Sequence, residues 1–349
     1  MPVEFIGTIT TQESSDIEPT GGSVLDLAYL RRITRAHERA GFERVLVPFV
    51  ATLPDTFLVA HYAANHSKTL GFALAHRAGF FAPTVAARAL ATLDQMTSGR
   101  IALHLVTGGS DAGQRRDGDY VDKSARYRRS AEYAAVLKKL WAATGPIDHS
   151  GEFYKFENAW SQLRPVGGIM PVYFGGASGD AHKVAAEHAD VAVLWGEPLA
   201  GTAEQIAAIR AEAVRHGRAD QVRFALAVRP ILARTDADAW ARAKRILAAM
   251  AAAPTRPGGQ RSAGFTRLRA VAEAGDVYDR ALWTAPARLP GARGNATALV
   301  GSPDTVVAAL EDYLNIGISG FVINGYDPIK DALDYGKYLI PRMNAATPS

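Results

Sequence analysis

The chain has 349 residues and no cysteine; 48% of it is hydrophobic, 21% is charged, and the formal net charge is +4. This apolar fraction excludes wholesale disorder. The lack of cysteine excludes a disulfide scaffold, thiolate zinc sites, iron–sulfur clusters and a cysteine nucleophile, and fits a reducing compartment. The two signs of charge are interleaved. The densest basic runs, Arg115-Arg116 and Arg126 with Arg128-Arg129, are short and diluted by acids, so no nucleic-acid footprint emerges. A small anionic ligand suits the mild positive excess better. The opening MPVEFIGTITTQESSD does not read as a signal peptide. No apolar run approaches the ~18 residues of a membrane span. A soluble, cytoplasmic protein is expected.

Short β-branched runs alternate with amphipathic stretches along the chain. Residues 3–9 read as a strand, 25–41 as a helix stopped by Gly41, 44–49 as a strand and 55–65 as a helix. A strand follows at 69–75, a helix at 84–96 after Pro83, and a strand at 100–106. The stretch TGGSDAGQRRDGDY is polar and glycine-rich. A long helix opened by Ser124 runs to 141. Strands at 171–176, 191–195 and 222–232 alternate with helices at 180–188, 202–216 and 236–250. The chain closes with a helix at 302–316, a strand at 320–325 and a helix at 329–341.

Eight strands alternating with helices predict parallel βαβ units. Eight units favour a (β/α)8 TIM barrel, one domain over 1–349, above an open Rossmann-type sheet. Nearly continuous apolar strands fit a sheet buried on both faces. Insertions are expected at about 107–124, 145–169 and 251–297. The last carries APTRPGGQRSAG and PARLPGARGNA, a composition suited to a mobile loop or a plain linker.

The histidines form no metal-ligand pattern; His61 and His66 miss helical register, so no metal is expected. There is no Walker loop, and no G-x-G-x-x-G follows the first strand. Gly175-Gly176-Ala177-Ser178-Gly179-Asp180 instead ends a strand and enters a helix. Such a turn offers N–H groups to an anion, or is simply a glycine turn with a Ser178 cap. Thr107-Gly108-Gly109-Ser110 ends another strand, where small residues let a flat ligand approach the backbone. Tyr127 can bond a ligand or pack. Trp195 ends a strand at the expected active face or closes a barrel layer. Arg229 lies in an apolar strand and needs either a carboxylate neighbour or a bound anion; Arg77 follows its strand in the same way. Tyr326 follows the last strand. Anion and flat-ring binding without acid–base pairs points to a cofactor that carries the chemistry.

The run Ala82-Pro83-Thr84-Val85-Ala86-Ala87-Arg88-Ala89-Leu90-Ala91-Thr92-Leu93-Asp94, followed by Ser98-Gly99-Arg100, resembles the bacterial-luciferase-like flavin monooxygenases. Within them it is most similar to the alkanesulfonate monooxygenases. Leu105–Gly108, Ser124–Tyr127, Tyr173–Gly176, Trp195–Pro198 and Thr297–Gly301 extend the resemblance in order along nearly the whole chain. It implies a (β/α)8 barrel with a mobile loop, reduced FMN from a separate NAD(P)H-dependent reductase, and O2. In the sulfonate branch a C–S bond is cleaved to aldehyde and sulfite. The resemblance places FMN against Thr107, Tyr127, Gly176, Ala177 and Ser178. It places Trp195, Arg229, Tyr326 and the loop residue Arg293 on the substrate side, and implies a homodimer or homotetramer. The sulfonate enzymes' cysteine is absent here, with Leu53 nearby. Their two histidines are replaced within Ala227-Val228-Arg229 and Tyr326-Asp327-Pro328, so the flavin half is kept and the substrate half rebuilt. A deazaflavin-dependent dehydrogenase and a non-catalytic flavin-binding protein are the alternatives.

Overall fold

The computed structural model describes residues 3–17, 22–253, 262–289 and 295–346. Eight strands carry the fold: β1 (Glu4–Thr8), β2 (Arg44–Val47), β3 (Gly71–Arg77), β4 (Ile101–Val106), β5 (Val172–Gly175), β6 (Val191–Trp195), β7 (Arg223–Leu232) and β8 (Gly320–Ile323). Their hydrogen-bonded order is β8-β1-β2-β3-β4-β5-β6, and β7 bonds to both β6 and β8. That order closes on itself, and the fold class is a (β/α)8 barrel. β3 is buried at every position and β7 at all but the first, which is why both read as apolar runs. β3 and β4 pair in parallel from Phe72↔Ile101 to Arg77↔Val106.

The chain divides into two compact units. The first comprises residues 1–45, 193–208 and 223–349; the second comprises 46–192 and 209–222. In the first unit, β7 pairs with β8 over Ala225–Val228 and with a further parallel strand, Ala298–Gly301, from Arg229 onward. In the second, buried Leu103, Phe174, Tyr133 and Trp141 fill the interior. The Trp141 indole N–H donates to the Ala87 carbonyl at 3.1 Å, so its one polar atom is satisfied.

Several expected elements take a different form in the structure. The long helix is Lys123–Ala142, and Asp122 rather than Ser124 caps it by accepting from the Ala125 N–H. The polar stretch after β4 contains a helix, Asp111–Arg116, capped by Ser110. Residues 145–169 hold an antiparallel hairpin, Ile147–Ser150 with Lys155–Ala159. The stretch from 251 to 297 holds a helix, Ala263–Ala274, and the two-residue strands Val277–Tyr278 and Leu282–Trp283. The closing helix is two, Pro328–Tyr338 and Ile340–Ala346. Pro341 lacks the N–H that would continue the first, and a first turn tolerates it.

The run that carries the family resemblance is a structural corner. The Asp94 carboxylate, almost fully buried, accepts from the Ile101 N–H at 3.1 Å and the Val166 N–H at 2.8 Å. Ser98 and Gly99 turn the chain at φ 57° and 82°. Arg100 donates to the carbonyls of Thr97, Leu70 and Ala64. Asp94→Ala strands two backbone donors and is expected to cost about 2 kcal/mol. Urea unfolding measures this, and an unchanged midpoint would deny Asp94 its role.

Candidate active site

In the first unit the decisive residue is Arg229, whose side chain is 3% exposed within β7. A buried guanidinium must find partners. Its Nη1 donates to an Asp16 carboxylate oxygen, and its Nη2 donates to the Gly325 carbonyl at 3.1 Å. The guanidinium carbon lies 3.6 Å from the centre of the Tyr326 ring, a cation–π stack. Nε has no partner among the described residues. Burial works against the charge, but Tyr326 and Asp16 hold Arg229 above the ordinary guanidinium value.

Tyr326 follows β8 and is buried in a cluster with Ile231, Trp283, Ala298 and Val300. Its hydroxyl has no partner among the described residues. Burial raises its pKa, with Arg229 acting the other way, so it is a neutral O–H donor at pH 7. The turn that carries it is held by Asp331. One Asp331 oxygen accepts from the Tyr326 and Asp327 N–H groups at 2.9 and 3.0 Å. The other takes a 2.6 Å bond from Arg242. A side chain at Gly325 would collide with Asp331, so only glycine fits there.

Trp195 ends β6, and its indole lies against Gly264, where a Cβ would come within 2.7 Å of the ring. The next acidic residue, Glu197, is buried and grips Arg267 through bonds of 2.9 and 2.8 Å. Both contacts fasten the Ala263–Ala274 helix. The described part of the expected mobile loop is therefore a tethered element. Arg293 lies outside the described residues.

In the second unit Thr107 follows β4, and its carbonyl accepts from the Gln114 amide at 2.6 Å. Gly108 sits at φ 92° directly beneath that amide, so a side chain is excluded twice over. Gln114 Oε1 in turn accepts from Arg77 at 3.4 Å, and Arg77 pairs with Asp117 at 3.1 Å. The Arg77 guanidinium lies 4.7 Å from the centre of the Phe49 ring, and burial lowers its pKa. At the end of β5, a Cβ on Gly176 would fall 2.6 Å from Ala181 Cβ and 3.6 Å from the Tyr127 hydroxyl. Past Ala177, Ser178 caps the helix Gly179–His188 by accepting from the Ala181 N–H at 3.2 Å. The cap reading of Ser178 is thus realised. The other first-turn N–H groups of that helix have no intrahelical acceptor.

The structure groups Gly176, Ala177, Ser178 and Tyr127 at one helix start, with Thr107 and Gly108 at the next strand end of the same unit. It groups Arg229 with Tyr326 in the other unit. Sequence reasoning missed Asp16, Gln114 and the Glu197–Arg267 pair. No local pattern announces Asp16, which lies 213 residues before its partner. A cavity of about 280 Å³ in the second unit is lined by Trp141, Phe156 and Trp160 among others, and contains none of the expected site residues. Among the described residues no cluster of acids and histidines could hold a metal ion, and no helix is long and apolar enough to cross a membrane.

Residues 3–320 match the luciferase-like monooxygenase family. The chain belongs to that family. It is therefore an enzyme, a flavin-dependent monooxygenase. Its fold is similar to that of a riboflavin lyase solved with modified FMN and riboflavin, with TM-score 0.80 and 20% identity, covering 99% of this chain and 92% of that one. A long-chain alkane monooxygenase gives TM-score 0.80 and 18% identity over 99% of this chain and 92% of that one. A coenzyme F420-dependent tetrahydromethanopterin reductase from Methanopyrus kandleri gives 0.74 and 18% over 98% and 100%. At such identities the likeness concerns the fold. The luciferase-like monooxygenase's own residues must supply the rest.

Proposed function

We propose that this chain is the oxygenase component of a two-component system. It takes reduced FMN from a separate NAD(P)H-dependent FMN reductase and consumes O2. Its substrate is a small organosulfur compound of the alkanesulfonate-like kind, whose C–S bond is cleaved to aldehyde and sulfite. It works as a homodimer or homotetramer. The observation that carries the reading is the buried Tyr326 hydroxyl, left without a partner among the described residues and stacked beneath Arg229. Native proteins rarely leave such a donor idle.

The second unit fits a flavin. Glycines at 108 and 176 stand where any side chain would collide, and this keeps the backbone bare. A flat ring system can then approach the ends of β4 and β5, near Thr107 and Ala177. The Tyr127 hydroxyl and the helix start at Ser178 suit the phosphate. Reduced FMN, when bound, supplies the electrons with which one atom of O2 enters the substrate and the other leaves as water.

The chain's own residues do the rest. Tyr326 donates a hydrogen bond to the oxygen atom on which negative charge develops, and burial keeps its proton in place at neutral pH. Arg229 stays charged and cannot act as a base. It orients the phenol through the stack. Trp195 supplies an apolar wall, and we assign Arg293, which lies outside the described residues, to the substrate side.

The test couples the chain to a generic FMN reductase and follows oxygen uptake and sulfite release with a panel of organosulfur compounds. Tyr326→Phe is expected to lower kcat about 100-fold with little change in thermal stability, because the lost hydroxyl bonds to nothing described. A Phe variant at full rate would remove Tyr326 from the chemistry. No affinity for reduced FMN would sink the whole reading.

A further inference from the structure

We infer that Gln114 is a positioning residue for the flavin: it holds the Thr107–Gly108 peptide so that the Gly108 N–H faces the flavin ring. The inference rests on the reading of Thr107 and its neighbours as the flavin side of the site. Gln114 is 1% exposed and lies on the short helix after β4. Its Nε2 donates to the Thr107 carbonyl at 2.6 Å, and its Oε1 accepts from Arg77 at 3.4 Å. Arg77 is held in turn by Asp117 at 3.1 Å and by the rings of Phe49 and Phe80. Only one orientation of the Gln114 amide satisfies both neighbours. Turned over, it would set its oxygen against the carbonyl and its NH2 group against the guanidinium.

The peptide that Gln114 grips has two ways to lie. Gly108 sits at φ 92°, and glycine accepts either sign of φ, so a flip of the Thr107–Gly108 peptide meets no Cβ there. A trans peptide points its C=O and N–H in opposite directions. With the carbonyl tied to Gln114, the Gly108 N–H points away from it. Among the described residues that N–H meets no acceptor, and Gly108 is only half-buried. The Gln114 amide already fills the place of a Gly108 side chain, so the open approach to this peptide is from the N–H side. Reduced FMN carries negative charge on its ring system at neutral pH, and oxidised FMN does not. A fixed N–H donor therefore favours the reduced form. A carbonyl turned into its place would favour the oxidised form.

Anaerobic titrations of the full-length protein give the dissociation constants of oxidised and of dithionite-reduced FMN, and the ratio of the two is the readout. The wild type is expected to bind reduced FMN about tenfold more tightly than oxidised FMN. Gln114→Glu keeps the size of the side chain. Its carboxylate, ionised beside Arg77, repels the Thr107 carbonyl and attracts the Gly108 N–H. The peptide then turns over, and the preference for reduced FMN is expected to fall about tenfold. Gln114→Met keeps the length without the donor, releases the peptide, and is expected to lose part of the preference. Circular dichroism checks the folding of each variant. A Gln114 that serves the fold alone would weaken both forms alike, and a ratio unmoved in both variants overturns the inference. So does a wild type that binds the two forms equally. Failure of both variants to fold overturns it too, because Gln114 is then a residue of the fold. Each of these results leaves the flavin reading standing. A wild type that binds neither form overturns both.

Discussion

Lowering the pH from 7 to 4 is expected to remove on the order of 6 kcal/mol of folding stability through two histidines alone. His37 and His76 are 3% and 2% exposed. Burial lowers the pKa of each from the ordinary 6.5 to about 4. His37 sits under Gly7, where any Cβ would strike the imidazole, and its Nδ1 lies 2.9 Å from the Ile33 carbonyl. His76 meets the Tyr133 hydroxyl at 2.8 Å and packs against the rings of Phe57 and Phe81. Among the described residues neither environment offers a carboxylate to an imidazolium. The unfolded chain takes up a proton on each near pH 6.5, and the folded chain resists until about 4. In that window the unfolded state holds more protons, so stability falls as the pH falls. The contribution is complete above 6.5 and is lost by about pH 4. Each histidine accounts for about 3 kcal/mol, a large share of a typical 5–15 kcal/mol total. Urea titrations from pH 7.5 to 4 measure the slope. His76→Gln cannot titrate and is expected to remove its own share, about 3 kcal/mol, from the total loss. A midpoint that stays level down to pH 4.5 would show that both imidazoles charge freely in the folded state.

What the sequence reveals here follows burial. β3 and β7 are covered on both faces, so their apolar runs need no context to be recognised. The strand Ala298–Gly301 falls outside the alternation of eight strands with helices, and its partner along β7 begins only at Arg229. The hairpin at 147–159 alternates half-buried with exposed positions and carries charged residues, so its pattern is weak. At the start of the Lys123–Ala142 helix two cap residues compete two positions apart, and only the geometry selects Asp122. The Asp94–Arg100 run was legible as a family mark, yet its atoms are spent on backbone hydrogen bonds. A recognisable motif and a reactive site are thus different places in this chain.

The site itself was half legible for a related reason. An arginine in an apolar strand announces that it needs an anion, and the alternatives were a carboxylate and a ligand. The carboxylate is Asp16, contributed by an irregular segment after β1. No spacing rule connects such a residue to position 229. Ser178 poses the reverse case, because its cap bond is local, three residues long, and readable from the helix pattern alone. Local hydrogen bonds leave a trace in sequence order. Pairings made across the sheet do not.

Arg229→Met is expected to destabilise the fold by about 3 kcal/mol and to abolish measurable turnover. The stability loss has two parts. Asp16, whose side chain is 13% exposed, would keep its charge but lose the Arg229 guanidinium, and the Gly325 carbonyl would lose the Arg229 donor. The figure stands at the low end of the range for broken buried pairs, because water can still reach part of Asp16. The double variant Asp16→Leu with Arg229→Met replaces the whole pair by apolar groups. Buried ion pairs exchanged in this way are often neutral in stability, so the double variant is expected to unfold near the wild-type midpoint. Its turnover stays lost, because neither the stacked cation that orients Tyr326 nor the Nε–H donor has been restored. Guanidinium unfolding gives the stability of the four proteins in the cycle, and oxygen uptake gives their activity. If the double variant regained turnover along with stability, Arg229 would be a structural residue and the reacting group would lie elsewhere. If it regained neither, the pair would hold the turn at Gly325 and Tyr326 in a way that apolar packing cannot replace.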